Sequence, residues 1–97
     1  MKDEASNKKI RARVNRIVGQ VAGIQRMVEG DRYCVDILNQ IAAVRSALDA
    51  LGVEVLSRHI ESCVVGHGSG SEHERAAPMS QEELLAEIQT VLSRFLK

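Results

Sequence analysis

The sequence predicts an all-α fold, and three observations carry that expectation. Apolar residues recur at heptad spacing from Ile10 to Val28. A longer seam of the same kind runs from Cys34 to Cys63 without a proline. Ser80-Gln81-Glu82-Glu83 then marks the start of a third. Steps of three and four residues return side chains to one helix face, whereas a strand needs a period of two.

The first helix is expected over about residues 7–29. Its seam, Ile10, Val14, Ile17, Val21, Ile24 and Val28, steps 4-3-4-3-4. Ser6 or Asn7 supplies a cap, and Gly30 a stop. Gly19 and Gly23 weaken the helix by up to about 1 kcal/mol each and admit a closely packed neighbour. The second helix is expected over about residues 32–65, with Asp31 as its N-cap. Its seam reads Cys34, Ile37, Ile41, Val44, Leu48, Leu51, Val55, His59 and Cys63, and passes one interior glycine, Gly52. Alanines 42, 43, 47 and 50 favour helix and close packing. Residues 66–79, rich in Gly and Ser and lacking periodicity, read as a flexible loop. The third helix, about 81–96, opens on a capping box and carries Leu84, Ile88, Val91 and Phe95, with Leu85, Leu92 and Leu96 beside them.

The only two cysteines stand in the long seam. His59 and Cys63 are four residues apart, share a helix face, and can hold one metal ion together. Cys34 lies 25 residues before His59, roughly 37 Å along a continuous helix. Metal–ligand bonds are only about 2.0–2.3 Å long. Either the helix folds back at Gly52 or Cys34 comes from a second copy of the chain. A break at Gly52 would strand Leu51 and Val55 on different faces. Packing the seam antiparallel on its symmetry mate, with the two-fold axis near Ala47 and Leu48, instead sets Cys34 of one subunit opposite His59 and Cys63 of the other. The expected dimer interface is an antiparallel four-helix bundle. Two thiolates and one imidazole suit trigonal Cu(I), and can hold Zn(II) or Ni(II) if a fourth ligand is found. The competing reading makes both cysteines small buried hydrophobes and His59 a core histidine.

With 97 residues, one Phe, one Tyr and no Trp, the chain reads as a single small domain with a thin aliphatic core. Such chains bury little surface alone, which favours oligomers. The net charge of zero conceals an asymmetry: residues 1–30 carry seven Lys and Arg against three Asp and Glu. A basic end on a neutral protein points to a polyanion such as DNA. Lys8, Lys9, Arg11, Arg13 and Arg16 cluster at one end of the first helix, and positions 9, 13 and 16 form one stripe suited to phosphates. No helix-turn-helix pattern accompanies them, so binding is expected through a basic surface of the assembled oligomer. The polar N-terminus and the lack of a long apolar run predict neither a signal peptide nor a membrane span. A cytoplasmic protein with reduced thiols is expected. His67 and His73 read as solvated loop residues. A Cys–His pair can serve nucleophilic catalysis, but no oxyanion loop or phosphate-binding glycine motif accompanies it, and no enzyme is expected.

The stretch Gly30 to Arg45, with Tyr33-Cys34-Val35-Asp36 at its start, followed by His59-Ile60-Glu61-Ser62-Cys63, resembles the copper-sensing repressors of the CsoR/RcnR type. The likeness covers about residues 7–97. It implies all-α dimers that assemble into tetramers, bind operator DNA without a helix-turn-helix and release it when ligand binds. By position, Cys34, His59 and Cys63 match the Cu(I) ligands of the copper branch. Tyr33 and Glu83 match a pair of residues beside those ligands that is proposed to link the metal site to DNA release. Arg13 matches a DNA-contact arginine, and Arg45 is placed on the same surface although that position varies between branches. The nickel/cobalt branch has His where Cys63 stands and a histidine at position 3, where this chain has Asp3. The formaldehyde branch uses an N-terminal proline, where this chain has Lys2. The persulfide branch lacks the histidine that His59 supplies. The resemblance therefore implies a Cu(I)-responsive repressor. The alternatives are a relative sensing nickel or a reactive sulfur or aldehyde species through Cys34, and a cytosolic copper-binding protein with no DNA role.

Overall fold

The structure, a computed structural model, describes residues 4–70 and 72–95, and for Glu4 and Ser6 the backbone alone. Its regular elements are α1 (Glu4–Glu29), α2 (Cys34–His59), a π-helical turn (Ile60–Val65) and α3 (Gln81–Phe95). No strand occurs among the described residues. The chain is all-α, as the periodicity predicts. α2 passes through Gly52 unbroken. Leu96, placed in the third seam, lies outside the described residues.

Three local readings need correction. α1 begins at Glu4, so Ser6 and Asn7 sit inside the helix rather than capping it. Asp31 closes α1 instead of opening α2. Its φ is +52°, and the Arg32 N–H bonds the Met27 carbonyl at 3.0 Å while its own N–H reaches Val28 O at 3.3 Å. That pair of bonds is a Schellman motif with Asp31 in the left-handed position usually taken by glycine. Gly30 just before it is exposed, but a Cβ there would lie 3.2 Å from the Arg26 carbonyl, closer than an ordinary contact. α2 then starts two residues later than expected, with the Tyr33 carbonyl accepting from Asp36 and Ile37 N–H.

The second helix also changes character at its end. Gly66 N–H bonds Glu61 O at 3.0 Å, five residues back, the wider register of a π-helix. Ser62 Oγ–H donates to the Arg58 carbonyl at 2.8 Å, a side-chain bond to residue i−4 that competes with the α-helical ladder.

Residues Glu4–Val55 form one compact unit and a second begins at Leu56. In the first, Ile10, Ile17 and Val44 are buried, each contributing roughly 1.5–3 kcal/mol. Lys9 Nζ lies 3.4 Å from Glu54 Oε1, so the start of α1 runs beside the far part of α2 as an antiparallel hairpin. The α2 seam divides across this unit. Val44 is buried and Ile37 and Leu51 are half-buried, whereas Cys34, Ile41, Leu48 and Val55 are exposed. These four recur every seven residues, so they form the heptad stripe that α1 leaves uncovered. α1 likewise exposes Val14, Val18, Val21 and Val28.

In the second unit, α3 packs on the π-helical turn. Its core is Cys63, Ala76 and Leu84, with Val64 and Met79 against them. Leu84 is 0% exposed and Cys63 2%. Ser80 and Glu83 close α3 reciprocally: Glu83 N–H donates to Ser80 Oγ at 3.1 Å, and Ser80 N–H to Glu83 Oε1 at 3.2 Å. The expected capping box is present.

Candidate metal centre

Cys34 is the first residue of α2 and His59 the last. Cys34 is an exposed free thiol, whereas Cys63 is a free but buried one. His59 is half-buried at the junction with the π-helical turn, and Cys63 lies within that turn. Within one chain, no group of three or more His, Cys, Asp or Glu side chains is arranged to hold a metal ion among the described residues.

The Cys63 sulfur is held from two sides. The His73 backbone N–H donates to Sγ at 3.3 Å, and Ser62 Oγ stands 3.6 Å away. The backbone donation is of the kind that tunes a thiolate ligand and fixes its direction. The Ser62 hydroxyl proton is already given to the Arg58 carbonyl, which leaves the Cys63 thiol as the donor toward Ser62 Oγ. The loop expected to be flexible therefore ties back onto a candidate ligand. His73 itself is exposed, and its Nδ1 accepts the Arg75 N–H at 3.1 Å, which occupies one ring nitrogen in a local turn. His67 is half-buried, with Nδ1 sealed from solvent and unpartnered among the described residues.

Glu72 orders the same loop. Its carboxylate accepts the Gly68 N–H at 3.2 Å, a donor presented by a residue at φ +86°, where glycine is favoured. Its own backbone N–H is the main cause holding its pKa below the usual 4.5. Burial opposes that shift, while Gly68 and Gly70 N–H and the nearby His67 charge reinforce it.

His59 Nε2 lies 3.9 Å from Glu87 Oε1 on α3, just beyond hydrogen-bond distance. Sequence reasoning did not single out Glu87. The available signal was its position one turn after Glu83, a spacing that puts both carboxylates on one face of α3. Glu83 is engaged in the capping box, and Tyr33 exposes its ring.

The basic candidates divide by surroundings. Lys8, Lys9, Arg16 and Arg45 are exposed and Arg13 is half-buried. The Arg13 Nε is sealed from solvent and unpartnered among the described residues. Lys9 is the member paired with a carboxylate, Glu54, a surface contact worth at most about 1 kcal/mol. No helix among the described residues is long and apolar enough to cross a membrane.

This all-α chain, with its thiol and imidazole groups at helix ends, belongs to the metal-sensitive transcriptional repressor family, whose pattern it matches over residues 6–94. That is a family of repressors, not of enzymes. It is 40% identical over 96 residues to the copper-sensing transcriptional repressor CsoR of Bacillus subtilis, covering 99% of this chain and 82% of that one. Among solved structures, it resembles the copper-sensing repressor CsoR with Cu(I) from Geobacillus thermodenitrificans. The TM-score is 0.81 at 38% identity, over 100% of this chain and 93% of the other. A variant of the formaldehyde-responsive regulator FrmR from Salmonella enterica serovar Typhimurium gives a TM-score of 0.78 at 33% identity, over 98% and 99% of the two chains.

Proposed function

We propose that this protein is a Cu(I)-responsive repressor that leaves operator DNA when the metal is bound between subunits by Cys34 of one and His59 and Cys63 of the other. The observation that carries the reading is the uncovered heptad stripe of α2. Cys34, Ile41, Leu48 and Val55 share it and are all exposed. A helix of 26 residues spans roughly 39 Å, so its two ends need a second, antiparallel copy to meet. Two-fold symmetry then creates two equivalent sites. The exposed valines of α1 support further assembly to a tetramer.

The donor set fits the metal. Two soft sulfurs and one imidazole suit Cu(I) better than Zn(II) or Ni(II), which require additional ligands. When bound, Cu(I) supplies a fixed bridge between subunits. The chain's own residues do the rest. A metal-ligating imidazole commonly donates its other ring N–H to a carboxylate. Glu87 would take that part if its carboxylate closed the 3.9 Å that now separates it from His59, and Glu83 and Tyr33 are the pair that the resemblance assigns to it. Because α3 carries both carboxylates and packs on the turn holding Cys63, drawing His59 and Cys63 toward a metal pulls on α3. Lys8, Lys9, Arg13, Arg16 and Arg45 supply the phosphate-binding surface. A coupling of about 1–3 kcal/mol between the two sites lowers DNA affinity roughly 5–150-fold. The reading places the protein in the cytoplasm, on DNA.

One observation favours a second reading: Cys34 is exposed and free, as a thiol sensing a reactive sulfur or aldehyde species must be. Anaerobic titration of the DNA-bound protein with Cu(I), Ni(II), Zn(II) and a persulfide donor separates the two, using a duplex selected by the apo protein. Release by Cu(I) that His59→Ala abolishes is expected. Release by the persulfide donor that survives His59→Ala would transfer the function to thiol sensing. Absence of salt-sensitive, sequence-preferring DNA binding would leave only a copper-binding protein.

A further inference from the structure

Between the π-helical turn and α3, the chain buries a carboxylate outside any helix. Residues 66–71 read Gly-His-Gly-Ser-Gly-Ser, with no apolar side chain to anchor them. A Gly/Ser segment of this kind is ordered by polar contacts or not at all. Glu72 supplies those contacts. It is 7% exposed, and around its carboxylate lie its own backbone N–H and those of Gly68 and Gly70. Gly68 and Gly70 have left-handed backbone, at φ +86° and +88°, and a Cβ at either would meet open space. Glycine serves there for the backbone direction that turns the amides toward Glu72, not for room.

The next residue is His73, whose backbone N–H donates to Cys63 Sγ at 3.3 Å. A turn fixes that amide from the other side. Ala76 and Ala77 N–H donate to the His73 carbonyl at 2.9 and 3.0 Å, and Ala76 is seated in the core with Cys63 and Leu84. The His73 amide is therefore held between an apolar anchor after it and one buried carboxylate before it. The loop's other carboxylate, Glu74, is exposed. Loss of an outer hydrogen bond to a metal ligand typically weakens metal binding about 10–100-fold. We propose that Glu72 is a positioning residue for the metal site. It clamps the loop so that the His73 amide stays on the Cys63 sulfur, which sets how tightly Cys63 holds Cu(I) and how well the thiol is shielded from other reagents. The copper half rests on the function proposed above; the clamp itself does not.

The test compares full-length wild type with Glu72→Leu, Glu72→Gln, Gly68→Ala and Glu74→Gln, each checked for helix content by circular dichroism. Without metal, alkylation by iodoacetamide is followed separately at Cys34 and Cys63 by mass spectrometry. Cys63, 2% exposed, should react about tenfold faster in Glu72→Leu as the loop opens locally, with Cys34 unchanged. Under a competing chelator, Glu72→Leu should bind Cu(I) at least about tenfold more weakly. Glutamine keeps an acceptor for the Gly68 amide, so Glu72→Gln restores most of both properties. Gly68→Ala strains the left-handed backbone while leaving the carboxylate in place, and shifts both in the direction of Glu72→Leu. Glu74→Gln removes an exposed charge from the same loop and leaves both as in the wild type. If Glu72→Leu loses helix content, Gly68→Ala carries the same comparison. Unchanged Cys63 alkylation, unchanged Cu(I) affinity, an equal rise at Cys34, or an equal effect of Glu74→Gln would each overturn the proposal. A wild type without tight Cu(I) binding would instead overturn the copper reading, and the alkylation rates would then decide the clamp on their own.

Discussion

Glu83→Gln and Glu83→Ala are predicted to separate in stability, because they remove different parts of the capping box. The Glu83 carboxylate accepts the Ser80 N–H at 3.2 Å in an exposed setting, where such a bond contributes roughly 0.5 kcal/mol, the low end of the usual range. Its negative charge in the first turn of α3 adds about 0.3–1 kcal/mol through the helix dipole. Alanine loses both, so Glu83→Ala should lose about 1 kcal/mol. Glutamine keeps an acceptor of the right reach and loses only the charge, about half as much. In a chain of this length, 1 kcal/mol corresponds to a Tm shift of about 4–8 °C. The assay is thermal unfolding by circular dichroism without metal, at fixed protein concentration because oligomerisation moves Tm. An unchanged melt for Glu83→Ala, or a lower one for Gln than for Ala, would refute the reasoning. On the same variants, metal-dependent DNA release tells whether the carboxylate also serves the metal response. Loss of release in Glu83→Gln with only a small Tm change would show that it does.

Three further outcomes follow from the packing and charges. Leu84→Ala removes a fully buried side chain beside Cys63 and Ala76 and should lose about 2–5 kcal/mol in urea unfolding; a loss below about 1 kcal/mol would contradict that core. Glu72, held below 4.5 by its own N–H and those of Gly68 and Gly70, binds its proton less readily folded than unfolded. Its contribution is therefore full above about pH 4.5 and is lost as pH falls through the lower folded value. The wild type should lose stability between about pH 5 and 3 more steeply than Glu72→Gln, and equal slopes would refute the assignment. Leu48→Glu places a charge in the uncovered stripe, where Leu48 is 48% exposed. Sedimentation should show a smaller assembly than the wild type, and an unchanged one would rule out this stripe as the dimer interface.

What the sequence made legible was what periodicity encodes. The heptad steps located all three helices, and the Ser80–Glu83 spacing announced the cap that the structure contains. One seam hid two faces, however. Val44 faces inward while Leu48 does not, and only the position of α1 decides which half of a heptad is covered within the chain. Asp31 was misread because the same side chain suits an N-cap and tolerates the left-handed backbone of a helix end. The π-helical register at Ile60–Val65 has no periodic signature over so few residues. Nor could spacing reveal that Glu72 folds back on the Gly68 amide, or that Glu87 approaches His59. Both depend on how the loop and α3 pack, not on neighbours along the chain. The candidate ligands themselves were readable, because thiols and imidazoles are scarce in this sequence and the soft trio stands out.

The central claim is that the metal site is shared between subunits, and mixing two defective subunits tests it most directly. Cys34→Ala and the double variant His59→Ala, Cys63→Ala each lack a complete site as homodimers. A mixed dimer restores Cys34 from one subunit and His59 with Cys63 from the other at one of its two ends. Anaerobic Cu(I) titration with a competing chelator should find no tight site in either variant alone, and one per mixed dimer after co-refolding. Failure of the mixture to regain any tight site, or tight Cu(I) binding by the Cys34→Ala homodimer, would contradict the account.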